Sequence, residues 1–154
     1  MTIPLQTGYV YGPIMSRRFG ASLGINILPV DKKVCNFDCI YCQYGSSVKE
    51  TDFSFPPAKE IEESVKKYFA SMQKEHLKAD WIMIAGNGEP TLHPEFARIV
   101  EDLKRLRESY LSGVKLGILS NASNCNKPEV QNALTKLDRC FMKLDAGAPS
   151  LFRS

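Results

Sequence analysis

The chain has 154 residues, a hydrophobic fraction of 44%, a charged fraction of 24% and a formal net charge of +3. This length and composition are ordinary for one globular domain with a hydrophobic core. The net charge is too small to indicate binding to nucleic acid or to a membrane. The N-terminal segment lacks the basic and apolar regions of a secretory signal. No apolar run approaches the ~18 residues of a membrane span. We therefore predict a cytoplasmic protein, not inserted in a membrane, whose thiols stay reduced.

The predicted elements alternate between strands and helices along the chain. The first twenty residues are rich in Gly, Pro and Tyr and are predicted to be mostly irregular. Apolar runs of strand length predict four strands, at 22–30, 81–86, 115–121 and 139–147. Apolar side chains at helical spacing predict three helices, at 58–77, from about 94 to 110, and at 128–137. This order predicts βαβ units with right-handed crossovers and a parallel sheet, which is an α/β fold.

Polar or glycine-bearing segments follow all four predicted strands. In chain order they are the loop CNFDCIYC, the stretch Gly86-Asn87-Gly88-Glu89-Pro90, the pair Ser120-Asn121, and residues Lys143 to Asp145. Functional sites of parallel α/β sheets lie at the carboxyl ends of the strands. We therefore predict that one rim of the sheet collects the residues capable of chemistry.

The last predicted strand has two different faces. Cys140, Met142 and Leu144 share one face, which is suited to packing on helices. Lys143 and Asp145 share the other face with Phe141, and charged groups there would be unfavourable in a dry core. We predict that this second face lines a polar cavity. The alternative is that Lys143 and Asp145 pair with each other or reach solvent.

The five cysteines are Cys35, Cys39, Cys42, Cys125 and Cys140, and the first three have the spacing CxxxCxxC. An odd, clustered set in a reducing compartment favours metal binding or catalysis over disulfides. Three thiolates could bind zinc, with a fourth ligand from another cysteine or a histidine. They could instead hold three irons of a [4Fe–4S] cluster and leave one iron open, which would allow it to bind a substrate.

The CxxxCxxC triplet, with Tyr41 before its last cysteine, resembles the motif of the radical S-adenosylmethionine (radical SAM) superfamily. The stretch from Gly86 to Pro90 resembles the GGEP motif of that superfamily, and Ser120-Asn121 lie where its members often place polar ribose contacts. The segments YGPIMSRRFGASLGINILP and GNGEPTLHP resemble the branch that contains wyosine-type tRNA-modification enzymes and many iron–sulfur oxidoreductases.

This resemblance implies a function. Cys35, Cys39 and Cys42 would hold a [4Fe–4S] cluster whose fourth iron is chelated by S-adenosylmethionine. Reductive cleavage of S-adenosylmethionine would give methionine and a 5′-deoxyadenosyl radical, which abstracts hydrogen from a substrate. The resemblance also implies an electron donor of the flavodoxin or ferredoxin type. The substrate is unknown, and a tRNA is one candidate.

The resemblance, together with the position of Lys143 and Asp145 at the predicted rim, implies a set of residues that bind S-adenosylmethionine at the strand ends. They are Tyr41, Gly86, Asn87, Gly88, Glu89, Ser120, Asn121, Lys143 and Asp145. Tyr41 could face the adenine or pack the loop. The glycines could let the backbone approach the ligand or form a turn. Glu89 could accept a hydrogen bond from the ligand's ammonium group. Ser120 and Asn121 could bind ribose hydroxyls or cap the next helix.

Residues 1–154 are predicted to be a single radical SAM domain that supplies the N-terminal, four-strand portion of a parallel, partial TIM-like barrel. Domains of the superfamily usually contain six βα units, so the barrel is expected to be truncated after the fourth strand. A missing C-terminal segment or a second chain would then complete it. Besides a radical SAM enzyme, two other functions remain open: a non-catalytic remnant that binds a cluster or a partner, and a zinc-binding structural module.

Overall fold

Five strands form one sheet in the described part of the chain, and their order across the sheet is their order along the chain. The structure is a computed structural model that describes residues 2–145, apart from the side chain of Glu50. The strands are β1 (Val10–Ser16), β2 (Gly20–Ile25), β3 (Trp81–Ile84), β4 (Lys115–Ser120) and β5 (Arg139–Met142). Strand β1 pairs with β2 in the antiparallel direction, and the other neighbours pair in parallel. The predicted α/β class with four parallel strands is confirmed.

Three helices connect the parallel strands: α1 (Ala58–Lys74), α2 (Phe96–Tyr110) and α3 (Pro128–Leu134). Two short 3-10 helices lie at Glu50–Asp52 and Pro90–Leu92. Proline occupies the first position of α3, where its missing N–H would have had no partner in the helix. No helix among residues 2–145 is long and apolar enough to cross a membrane.

The hydrophobic core lies between α1, α2 and alternate residues of the strands. On α1, Ile61, Val65, Phe69 and Met72 are buried, as helical spacing predicts. Alternate residues of the central strands meet them, namely Leu23, Ile25, Ile82, Ile84, Leu116 and Ile118. Each such side chain contributes roughly 1.5–3 kcal/mol when fully buried. This core fixes the strand ends that carry the site.

Strand β1 contradicts the prediction that the first twenty residues are mostly irregular. Its register with β2 is interrupted between Tyr11 and Ile14, at Gly12 and Pro13. Gly12 has a φ of 102°, which favours glycine. An interruption of the ladder on an edge strand tolerates proline, which has no N–H to donate. The composition resembles a loop because of these two residues, although Val10 and Ser16 both pair with β2.

Several elements are shorter than predicted. The strand predicted at 22–30 is observed at Gly20–Ile25 because the buried Asn26 side chain bonds the backbone N–H and C=O of Leu28 in place of a ladder. Helix α1 ends at Lys74, near His76 with its positive φ of 53°, and α3 ends at Leu134. The strand predicted at 139–147 is observed at Arg139–Met142, and residues 146 and 147 lie outside the described part.

The two faces of β5 have different surroundings. Phe141 contacts Phe19 and Trp81, with ring centroids 4.9 Å and 5.8 Å apart. On the other face, the Cys140 thiol donates to the carbonyl of Leu134 in α3 at 3.5 Å. Cys140 and the apolar residues that share its face, Met142 and Leu144, are nevertheless exposed. Within residues 2–145 this face is therefore not covered by the helix packing that its pattern predicts.

Candidate functional site

The three clustered cysteines lie on a loop that leaves the carboxyl end of β2 and is fixed to the end of β3. Val34, which precedes Cys35, forms an isolated parallel bridge with Gly88. The N–H of Val34 donates to the carbonyl oxygen of Asn87 at 2.8 Å, and the carbonyl oxygen of Val34 accepts from the N–H of Glu89 at 3.0 Å. The loop then turns through a hydrogen bond of 2.9 Å from the N–H of Cys42 to the carbonyl of Cys39. The fold therefore places the cysteines at the predicted rim.

A buried lysine holds the same loop in place. The Lys33 side chain is only 3% exposed, and its Nζ contacts Asp38 Oδ1 at 3.2 Å and the carbonyl of Gly45 at 2.5 Å. Asp38 also accepts from the N–H and hydroxyl of Ser47, both at 2.8 Å. The hydrogen bonds from Ser47 and Lys33 lower the pKa of Asp38. Lys33 and Asp38 were not singled out from the sequence, where they resemble ordinary surface charges.

Hydrogen-bond donors are directed at two of the three sulfurs. Cys35 Sγ accepts from the N–H of Phe37 at 3.5 Å and from Asn121 Nδ2 at 3.8 Å. Cys39 Sγ accepts from Lys143 Nζ at 3.2 Å. All three thiols are free and half-buried, and burial raises the pKa of Cys35. N–H donors around cysteine sulfurs stabilise the negative charge of an iron–sulfur centre. The residues present therefore fit a cluster held by three thiolates.

The ligand type restricts which metals the three cysteines could bind. Thiolates select zinc, Cu(I) and iron–sulfur clusters over hard cations. Within the described part of the chain, no three His, Cys, Asp or Glu side chains, the three cysteines included, are arranged to hold a single metal ion. In a [4Fe–4S] cluster each thiolate binds a different iron, so the three thiols do not need to converge on one ion. His93, one possible zinc ligand, has both ring nitrogens engaged, with Nε2 2.9 Å from the carbonyl of Pro56 and Nδ1 accepting from the N–H of Glu95.

Glu89 is the central acceptor of the site. Its carboxylate is buried, with 2% of the residue exposed. Oε1 accepts from the N–H of Thr91 at 3.1 Å, from its hydroxyl at 2.6 Å and from the hydroxyl of Ser120 at 2.7 Å, and Oε2 accepts from the N–H of Asn121 at 2.7 Å. No cationic side chain of residues 2–145 forms an ion pair with it. A buried carboxylate held by neutral donors is suited to receive a cationic group of a ligand.

The three residues before Glu89, which are Gly86, Asn87 and Gly88, contact other residues of the chain. Asn87 is fully buried; its Nδ2 donates to the carbonyls of Gln6 and Pro29, both at 2.9 Å, and its Oδ1 accepts from the N–H of Gln6. A Cβ added at Gly86 would overlap the Asn26 side chain, and one at Gly88 would overlap the backbone of Val34. The packing of the cysteine loop therefore accounts for glycine at these positions. Their contact with S-adenosylmethionine stays a prediction.

Ser120 and Asn121 connect the end of β4 to both neighbouring loops. The Asn121 side chain donates to Asn36 Oδ1 at 2.9 Å, and Asn36 in turn donates to Ser123 Oγ at 2.7 Å. Neither Ser120 nor Asn121 caps the next helix, because the N-cap of α3 is Lys127 and no side chain caps it. Asn36 belongs to the site and was missed, although its place between two of the clustered cysteines was a signal.

Lys143 joins the end of β5 to the cysteine loop. Its Nζ lies 3.3 Å from Asp145 Oδ2, 4.2 Å from the centroid of the Tyr41 ring and 3.2 Å from Cys39 Sγ. Partial burial lowers the pKa of Lys143, but hydrogen bonds to Tyr41 and Cys39 outweigh it and raise that pKa overall. The alternative in which Lys143 and Asp145 pair with each other is observed, and the pair also lies at the rim.

A cavity of about 390 Å³ lies among these strand ends. Its lining includes Glu89, Ser120, Asn121 and Lys143 together with Arg18. The structure thus brings together one carboxylate and two cationic side chains beside the cysteine loop. Among the residues predicted to bind S-adenosylmethionine, Gly88, Glu89, Ser120, Asn121 and Lys143 line this cavity, whereas Gly86, Asn87, Tyr41 and Asp145 do not.

Comparison with known proteins identifies relatives. The model of the Radical SAM superfamily matches residues 32–153. A UPF0026 protein of Helicobacter pylori strain J99 is 38% identical over 143 residues, which cover 89% of this chain and 42% of that protein. A UPF0026 protein of Methanocaldococcus jannaschii, MJ1312, is 31% identical over 147 residues, which cover 93% of this chain and 42% of the relative. The chain thus spans less than half the length of these relatives.

A solved structure shows the same fold. The crystal structure of BtrN in complex with AdoMet and 2-DOIA matches with a TM-score of 0.52 at 19% identity, covering 84% of this chain and 48% of that chain. At this identity the match concerns the fold alone. It places the five-stranded sheet in about half of a larger α/β structure, as expected for part of a TIM-like barrel.

Proposed function

The chain belongs to the radical SAM superfamily, as the cysteine triplet and the GNGEP stretch predicted, and we propose that it carries the cluster- and S-adenosylmethionine-binding part of an enzyme of that superfamily. The superfamily uses a [4Fe–4S] cluster and S-adenosylmethionine. We assign the cluster to Cys35, Cys39 and Cys42 of this chain.

One observation carries the proposal: Asn121 connects the cysteine loop to the buried carboxylate. Its backbone N–H donates to Glu89 Oε2 at 2.7 Å, and its side-chain Nδ2 donates to Cys35 Sγ at 3.8 Å. The Cys35 thiol and the carboxylate are therefore both hydrogen-bonded by one residue. A ligand that must touch both an open iron and an ammonium acceptor needs this arrangement.

The residues of the chain have distinct roles in this proposal. Glu89 would accept hydrogen bonds from the ammonium group of S-adenosylmethionine, because it is the buried carboxylate at the cavity and no cationic side chain of residues 2–145 forms an ion pair with it. Ser120 and Thr91 keep that carboxylate in one orientation through their hydroxyl groups. When bound, the cluster and S-adenosylmethionine supply reductive cleavage of the sulfonium C–S bond and a 5′-deoxyadenosyl radical.

The whole enzyme needs more than these residues. An electron donor is required by enzymes of this superfamily, and we propose one of the flavodoxin or ferredoxin type. We also propose that the single domain of residues 1–154 is the N-terminal part of the catalytic barrel, because the chain covers only 42% of the UPF0026 proteins it matches. The substrate is proposed only as a molecule with an abstractable hydrogen, and a tRNA is one candidate.

Anaerobic reconstitution with iron and sulfide tests this function. The expected product holds four irons and four sulfides per chain and gives an electron paramagnetic resonance (EPR) signal after reduction that changes when S-adenosylmethionine is added. Cleavage to 5′-deoxyadenosine by the reduced protein would distinguish an enzyme from a non-catalytic remnant. Bound zinc without sulfide after anaerobic purification would contradict the proposal and support a structural zinc module.

A further inference from the structure

Among the described residues, only one of the groups that donate a hydrogen bond to the clustered cysteine sulfurs carries a charge. Cys35 accepts from two neutral N–H groups, whereas Cys39 accepts from the ammonium group of Lys143 at 3.2 Å. Hydrogen bonds to charged donors are roughly twice as strong as neutral ones. The end of β5 therefore directs a full positive charge at one ligand sulfur of the proposed cluster.

Lys143 is held in this position from three sides. Asp145 Oδ2 lies 3.3 Å from its Nζ, the Tyr41 ring centroid lies at 4.2 Å, and Cys39 Sγ completes the set. Its side chain is 34% exposed, so solvent screens the charge only in part. Cys39 belongs to the cysteine loop and Lys143 directly follows β5, so the hydrogen bond between them spans 104 residues of sequence. An ordinary surface lysine would not be restrained in this way.

We infer that Lys143 is a positioning residue that raises the reduction potential of the cluster by donating to Cys39. This inference rests on the proposed function, because it requires a cluster on the three cysteines. Reduction adds one electron from the external donor to the cluster and transfers no proton, so the negative charge of the cluster and its thiolates grows by one. A fixed positive charge beside one thiolate stabilises the reduced state more than the oxidised state.

The companion residue predicts an effect of opposite sign. Asp145 partly neutralises Lys143, so its removal leaves the lysine charge uncompensated at the sulfur. Loss of Lys143 should therefore make the cluster harder to reduce, and loss of the Asp145 charge should make it easier to reduce. A purely structural role would loosen the loop in both cases and would not give opposite signs.

The test is a redox titration of the reconstituted 154-residue chain, monitored by EPR and without S-adenosylmethionine. For Lys143→Met the ratio of reduced to oxidised cluster at a fixed potential should fall about tenfold, which is about 59 mV for a one-electron couple. For Lys143→Arg this ratio should stay close to that of the unaltered protein. Asp145→Asn should shift the ratio upward. Lys115→Met is the matched control, because Lys115 lies over the Trp81 ring at 5.4 Å and at the opposite end of the sheet.

Each outcome decides the inference. An unchanged midpoint in Lys143→Met with full iron content would overturn it, and so would a shift of the same sign in Lys143→Met and Asp145→Asn. If Lys143→Met fails to retain the cluster, the sign of the Asp145→Asn shift decides alone: an upward shift supports the inference, and no shift or a downward shift overturns it. Failure of the unaltered chain to hold any [4Fe–4S] cluster would instead overturn the proposed function.

Discussion

Gly88 and Val34 lie so close together that no side chain can be accommodated between them. They pair as an isolated parallel bridge, and a Cβ at Gly88 would overlap the carbonyl of Val34, the residue before Cys35. Gly88 also has a φ of 139°, which L side chains rarely adopt. The glycine of this motif therefore lets the loop after β3 support the start of the cysteine loop.

We expect Gly88→Ala to disturb the cysteine loop and to reduce both cluster retention and S-adenosylmethionine binding. Backbone strain at this positive φ costs roughly 1–3 kcal/mol, and overpacking against Val34 adds about 1–3 kcal/mol. Urea unfolding gives the stability, and iron analysis gives the cluster content. Gly113→Ala is the matched control, because Gly113 has a φ of 88° with nothing within 4 Å of an added Cβ, so only the first cost applies. Equal losses of stability in the two variants would show that overlap with Val34 does not contribute to the effect of Gly88→Ala.

The second prediction concerns the ligands of the cluster. Alanine at Cys35, Cys39 or Cys42 should abolish retention of a [4Fe–4S] cluster, because each thiolate binds one iron. Cys125→Ala and Cys140→Ala are the controls and should retain it. Iron and sulfide analysis with visible absorption after anaerobic reconstitution measures the outcome. A requirement for Cys125 equal to that for Cys39 would show a fourth protein ligand and no open iron.

The third prediction concerns the charge of Glu89. Glu89→Gln should weaken S-adenosylmethionine binding by about tenfold or more, because a charge-assisted hydrogen bond is worth ~1.5–3 kcal/mol. Isothermal titration of the reconstituted protein measures the affinity, and iron analysis checks that the cluster is retained. Ser120→Ala removes one donor to the carboxylate and keeps its charge, so its effect should be smaller. Unchanged affinity of Glu89→Gln would show that this carboxylate does not meet the ammonium group.

The fourth prediction concerns His93, which is 3% exposed. Burial lowers its pKa below the ordinary value of 6.5, and this effect outweighs the opposing contributions of Pro56 and Glu95. The unfolded chain protonates His93 more readily than the folded chain does. The contribution of neutral His93 to the free energy of unfolding is therefore fully present above pH 6.5 and is lost as the pH falls through the lower folded-state pKa. Urea unfolding of the cluster-free chain between pH 7.5 and 5 should show the loss. His93→Gln, which can still donate to the carbonyl of Pro56, should show less of it, and an identical pH dependence would exclude His93 as the cause.

Local sequence pattern was sufficient to predict the three helices and the four parallel strands, and the CxxxCxxC spacing together with the GNGEP stretch was sufficient to indicate the superfamily. Ile61, Val65 and Phe69 repeat at helical spacing, and burying that repeat against the sheet is what stabilises α1. Strand β1 escaped prediction because Gly12 and Pro13 interrupt it, and its existence depends on pairing with β2 rather than on its own composition.

The amino-acid sequence by itself determined which residues lie at the strand ends, because the alternation of apolar runs and helical repeats predicts a parallel sheet, whose strands all end at the same edge. Tertiary structure decided which of these residues meet. Lys143 reaches Cys39 across 104 residues, and Asn121 reaches Cys35 across 86. It also decided that Asn87 binds Gln6 and Pro29. Such contacts depend on side-chain direction and loop path after the core has formed, and the periodicity of apolar residues carries no information about either.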